Sequence, residues 1–284
     1  MSAREPAGAA RGGGVGGDGE IGGGAAGAAQ ATLYVIPGSH ACRAGMLLLE
    51  HKGMTYSTVE LLSGAHPLLV RMRGFPGHRA PIRRVDGRSH RSLSMLDRMG
   101  TVPALRFGSE SVQGNRKIAR FLDRMQPAPE LVPADPDRRR AVEEAELWAD
   151  EVLQMAARRI GLAGALHGLD AFRERGNAGR LGALLSRSEL HRALVTRVSA
   201  RFVFRANPRS ERELLDALPA MLEKIDAWIA AGVLDSAQLN AADYMIAPSL
   251  ALIAYLPQPR AEIEAHPAGE LLERVLPEPL AAGA

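Results

Sequence analysis

The residues whose types and spacing could do chemistry lie in one short run, Ser39-His40-Ala41-Cys42, directly after Pro37-Gly38. The turn residues before it and the apolar periodicity after it put this run at the start of a helix. A helix N-terminus offers free backbone amides and the positive end of the dipole. A thiolate held there is stabilised, whether it belongs to Cys42 or arrives on a ligand. Ser39 stands where an N-cap belongs, since its oxygen can accept from a free helix amide. That structural role is the plain alternative to a chemical one. Cys42 falls at the second position of a CxxC pattern whose first cysteine is absent, so dithiol exchange within the turn is excluded. A monothiol role for Cys42 stays open beside packing as a small hydrophobe. His40 reads either as a proton carrier or as a solvated turn residue. The 8 histidines are scattered without cysteine or acidic partners at ligand spacing, so no metal is expected. No GxGxxG string follows a strand, so no nucleotide site is expected.

The elements that position this run follow from pattern. Thr32 to Ile36 is a short β-branched and aromatic strand. Ala44, Leu47, Leu48 and His51 give the helix after Ser39 an apolar face, and Gly53 stops it. Thr55 to Leu62 reads as a second strand, and strand–helix–strand at this length implies a parallel pair. Ser63 to Gly100 reads as irregular, with a short helix near Leu93 to Arg98. Between Arg71 and Arg98 it holds eight arginines against two aspartates. This is either a solvated loop or a cationic lid over an anionic ligand. Ala104–Phe107 and Glu110–Gln113 read as a hairpin around Gly108-Ser109, with Val102-Pro103 before it as a candidate cis bond. Asn115 is the expected cap of a helix that carries Ile118, Phe121, Leu122 and Met125 on one face.

Past a Pro- and Asp-rich linker the chain is helical. Arg138 to Ile160 reads as a core helix that continues or bends through Gly161 to Leu169. Residues 173–188 read as loop or short helices, and 189–204 as a further helix. Ser210 is expected to open a capping box with Glu213, and Pro219 to kink the helix that follows or mark its real start. Asn240 and Asp243 form a second capping box, flanked by Leu239 and Tyr244 at the staple positions, ahead of a long apolar helix. One short helix is expected after Pro257, around Ala268 to Val275.

The chain of 284 residues is long enough for one large or two small domains. A net charge of +3 is too small to argue for nucleic acid. The apolar run after Asn240 is broken by Asp243 and Pro248 and falls short of a membrane span. With Cys42 the only cysteine no intrachain disulfide forms, and secretion gains no support. Residues 1–30, mostly Gly and Ala, read as a disordered tail without the apolar block of a signal peptide. A cytoplasmic location is expected.

The order strand–turn–helix–strand, variable region, Val102-Pro103, hairpin and helix, followed by a helical half carrying the Asn240/Asp243 box, resembles the soluble glutathione transferases. The resemblance implies an α/β thioredoxin-like domain (31–126, with the basic insert at 66–100), a linker (127–137) and an all-α helical-bundle domain (138–276), with a short end at 277–284. It implies that Ser39 contacts the sulfur of glutathione or another low-molecular-weight thiol. It implies that Val102 before Pro103 docks the peptide backbone, and that Gly114 and Asn115 occupy the place of an acidic–Ser pair that holds the γ-glutamyl end, with Gln113 able to supply part of that contact. His40 stands where the family often has proline. The resemblance further implies conjugation or reduction of a small electrophile, and a homodimer. Two other readings stay open: a non-catalytic binding or assembly module, and a monothiol reductase or isomerase using Cys42.

Overall fold

The structure, a computed structural model, describes residues 31–77, 81–90, 93, 102–167, 180–181 and 197–278. Strand β1 (Ala31–Val35) turns Ala31, Leu33 and Val35 into the core, while Thr32 and Tyr34 are half-buried. Helix α1 (His40–His51) follows, and β2 (Tyr56–Glu60) then pairs parallel with β1, Leu33 opposite Thr58. The hairpin forms as expected: β3 (Ala104–Phe107) lies antiparallel to β1 and β4 (Glu110–Gln113) to β3, giving a sheet of order β2-β1-β3-β4. Val102-Pro103 is cis, and so is Ala128-Pro129 in the linker.

Two expectations in this half need correction. The segment after β2 is not wholly irregular, because His66–Met72 forms helix α2 with Pro67 in its first turn, where a missing amide costs nothing. The expected helix near residue 93 lies, past Leu93, outside the described residues. Helix α3 (Asn115–Met125) is capped by Gly114, not by Asn115. Gly114 has φ 87°, a left-handed conformation that glycine adopts without steric cost. That placement frees the Asn115 side chain for another partner.

All the described elements of the second half are helices. Helix α4 (Pro136–Trp148), capped by Asp135, runs through a π turn at Ala149–Leu153 into α5 (Gln154–His167). Residues 173–188 lie outside the described ones except 180–181, and of 189–204 only 197–204 are described, with a π turn at Ser199–Val203. Helix α6 (Pro208–Leu215) starts one turn earlier than expected. Its cap is Asn207, Pro208 fills the first helical position, and Ser210 is the third helical residue whose hydroxyl accepts from the Asn207 amide. Pro219 marks the true start of α7 (Leu218–Ala230). Helix α8 (Ala241–Ile253) is buried on every side, and the Asn240/Asp243 box forms as expected. Two helices follow, α9 (Pro257–Glu264) and α10 (Pro267–Val275), where one is expected from the sequence.

One hydrophobic core spans both halves, from Leu33, Leu48, Leu105 and Ile118 to Leu153, Ile246 and Leu250. Helices α1 and α8 form its seam, with the Tyr244 hydroxyl 2.9 Å from His51 Nδ1. Among the described residues no helix is long and apolar enough to cross a membrane.

Candidate functional site

The site is built on the N-terminus of α1. Ser39 is extended (φ −78°, ψ 116°) and its Oγ accepts from the Cys42 amide at 3.3 Å, so it is the cap the sequence implies. Ser39 is half-buried at the end of β1. A serine hydroxyl has one proton and two acceptor positions. One acceptor position is spent on the helix amide, and the hydroxyl also lies within hydrogen-bond reach of the Cys42 thiol.

Three segments close on this first turn. Gly45 brings α1 against Pro103 and Asn115: a Cβ there would meet Pro103 Cβ at 3.1 Å and Asn115 Oδ1 at 3.3 Å. The Asn115 amide donates to the Ala41 carbonyl at 3.0 Å, tying α3 to α1. Gly114 N–H donates to the Pro103 carbonyl at 3.0 Å, and Gln113 Oε1 accepts from Gly77 N–H at 2.9 Å. The structure thus brings together Ser39's helix, Pro103 and Gln113-Gly114-Asn115. It also shows Gln113 and Asn115 holding partners within the chain. Asn115 Oδ1 stays buried without a hydrogen bond.

Cys42 and His40 differ from expectation because the helical half covers them. Cys42 is 1% exposed, and burial pushes its thiol up to about 11, against the Ser39 hydroxyl and the Arg158 charge that favour the thiolate. A thiol so placed is almost wholly protonated near neutrality, which removes the chemical ground for the Cys42 reading. His40 is no solvated turn residue. It is 3% exposed, its Nε2 has no hydrogen-bond partner, and burial, helped by Arg158, lowers it to about 3. Burial lowers His66 at the start of α2 to about 4, again with help from Arg158, and its Nδ1 also lacks a partner. Arg158 of α5 lies over the Phe204 ring at 5.2 Å and makes no ion pair with a described residue. Sequence reasoning passed over Arg158 and His66. The signal was present in Arg158-Arg159, two adjacent charges inside an otherwise apolar helix. Among the described residues no group of His, Cys, Asp and Glu is placed to hold a metal.

No protein-family model and no curated protein sequence matches the chain. Solved structures do. The chain is similar to a glutathione transferase from Phanerochaete chrysosporium, at 14% identity and TM-score 0.55 over 89% of this chain and 99% of that one. It is similar to a glutathione S-transferase of Ceriporiopsis subvermispora solved in complex with glutathione, at 17% identity and TM-score 0.53 over 90% and 100%. A third is the beta-etherase LigF from Sphingobium sp. strain SYK-6, at 18% identity and TM-score 0.50 over 86% and 99%. The chain has the glutathione transferase fold. The basic segment after α2 crosses to the helical domain, where Arg83 N–H donates to the Glu151 carbonyl at 2.8 Å and Arg83 Nε to the Glu151 carboxylate at 2.6 Å.

Proposed function

We propose that this protein binds glutathione or a similar low-molecular-weight thiol and joins it to a small electrophile, or reduces the electrophile with it. The observation that carries this reading is Ser39: a half-buried helix cap at the N-terminus of α1 whose oxygen accepts from an amide and whose hydroxyl can turn to donate to an incoming sulfur. A free thiol has a pKa of about 8.5, and each unit of depression requires about 1.4 kcal/mol. A hydroxyl hydrogen bond and the α1 amides together supply one to two units. Ser39 acts as a donor and the ligand thiolate is the nucleophile. The thiol proton leaves to solvent, since His40 is buried and held neutral by that burial. Val102 before cis Pro103 is the proposed main-chain dock for the thiol peptide. The glutathione complex of the Ceriporiopsis neighbour supports the choice of thiol.

The test is the pH profile of turnover with reduced glutathione and a chromogenic electrophile. Ser39→Ala should move the limiting thiol pKa up by about one unit and lower turnover about tenfold below it. Unchanged turnover and profile would remove Ser39 from the sulfur contact. A second reading, a non-catalytic binding module, is favoured by the internal partners of Gln113 and Asn115. It predicts no heat on titrating reduced glutathione to millimolar concentration. A homodimer belongs to the first reading, and sedimentation equilibrium should then give twice 30.3 kDa.

A further inference from the structure

A cavity of about 390 Å³ lies between the basic segment, the π turn with α5, and α6. That is the size of a small-molecule site. Its floor is apolar, formed by Val152, Met155, Ala156 and Leu214. Its wall carries three guanidinium groups, Arg83, Arg84 and Arg159, against two carboxylates, Asp86 and Glu213.

The partners of these charges leave one of them open. Arg83 is held by Glu151 at 2.6 Å. Arg84 faces Asp86 at 3.4 Å, and Glu213 is drawn to Arg209 at 3.0 Å. Arg159 has no carboxylate within ion-pair distance among the described residues. It donates through Nε to the Phe204 carbonyl at 3.2 Å and through one terminal nitrogen to the Arg205 carbonyl at 3.3 Å. The other terminal nitrogen faces His90 Nε2 at 3.1 Å. His90 is held toward neutrality by burial and by the Arg159 charge, so it serves as acceptor. Three of the five guanidinium N–H groups are used by described residues, leaving one on each terminal nitrogen. Each of these two N–H groups can donate to an oxygen of a carboxylate. The head is fixed, half-buried and without a counter-ion among the described residues, and it lines the same cavity as the apolar side chains.

We infer that this cavity binds an amphipathic organic carboxylate, its carboxylate paired with Arg159 and flanked by Arg84, its apolar body on Val152, Met155, Ala156 and Leu214. The site uses none of the groups proposed to hold the thiol, so it stands or falls apart from that reading. The basic segment then has a role in binding, because Arg83 pins it to Glu151 and the pinned segment forms one wall.

Calorimetric titration with 2-naphthoate and its uncharged counterpart 2-naphthamide tests this. Naphthoate should bind saturably below millimolar concentration and at least about tenfold more tightly than the amide. Arg159→Gln should erase the preference for the acid while the amide binds as before, and the retained amide binding shows that the variant is folded. Arg84 is 57% exposed at the rim, so Arg84→Gln should fold normally and weaken naphthoate about threefold with the amide unchanged. Ser39→Ala should leave both affinities as they were. No saturable binding at millimolar naphthoate, equal affinity for acid and amide, a preference that survives Arg159→Gln, or loss of naphthoate binding in Ser39→Ala would each overturn the proposal.

Discussion

Ser39, His40 and Cys42 are three adjacent candidates that the fold sorts by depth. The sequence shows their types and their place at a helix start, but not their burial, because Arg158 and Phe204 come from the other half of the chain. Cys42, pushed up to about 11, carries about one thiolate per thousand at pH 8. The native protein should therefore be nearly inert to a colorimetric disulfide reagent at that pH and titrate one thiol after denaturation; rapid native reaction would contradict the burial. His40 makes a pH prediction. Its folded value lies below its unfolded value of 6.5, so between 6.5 and about 3 the unfolded state binds the extra proton. Stability is then present above 6.5 and falls as pH drops through that window. From pH 7.5 to 5.5 this one group should cost about 1.4 kcal/mol. Urea midpoints at the two pH values should show His40→Gln losing that much less than the natural protein, and identical losses would refute the assignment.

Helix starts show how far pattern reaches at the scale of elements. The Asn240/Asp243 box is legible because the cap, its acidic partner and the apolar run that follows all agree. The box at α6 is legible only to within a turn. Asn207-Pro208-Arg209-Ser210 overlaps Ser210-Glu211-Arg212-Glu213, and proline at the first helical position decides for the former. At α3 the local pattern misleads, since a polar residue sits beside the glycine that occupies the cap position with positive φ. Even the correctly read box holds more than the sequence shows. Asp243 accepts from the Asn240 amide at 2.8 Å and also from the Asp235 amide at 2.8 Å, so it anchors the loop before α8 as well as the helix. A cap alone is worth about 1 kcal/mol, and a second buried amide left unpaired adds about 1–3 more. Asp243→Ala should therefore lower unfolding stability by about 2–4 kcal/mol in urea titration. A loss below about 1 kcal/mol would mean that water replaces both contacts.

Over the whole molecule, the sequence divides into two halves at the linker but shows little of what joins them. The apolar seam between α1 and α8 is foreseeable from two apolar helices. Lys52, at the end of α1, is not, because lysine after a helix reads as a solvated charge. Its side chain is instead fully buried. It donates to Asp123 Oδ1 at 2.6 Å, to the Gln126 carbonyl at 2.7 Å and to the Pro129 carbonyl, using all three ammonium protons. Asp123 in turn accepts from the Leu131 and Val132 amides at 3.0 and 2.9 Å. One ammonium group thus fastens α1, the end of α3 and the linker that leads into the helical domain. Removing one member of such a pair leaves the other carboxylate and two carbonyls without their donor, which costs about 3–5 kcal/mol. Lys52→Met keeps most of the volume and the apolar stem, so the loss it shows is that of the charge and its hydrogen bonds. Since the core is continuous across both halves, the variant should unfold in one transition displaced to lower urea, with the near-ultraviolet signal of Trp148 and Trp228 in the helical domain moving together with the far-ultraviolet signal. Two separated transitions would show that the two halves are held together by this lysine and not by the shared core.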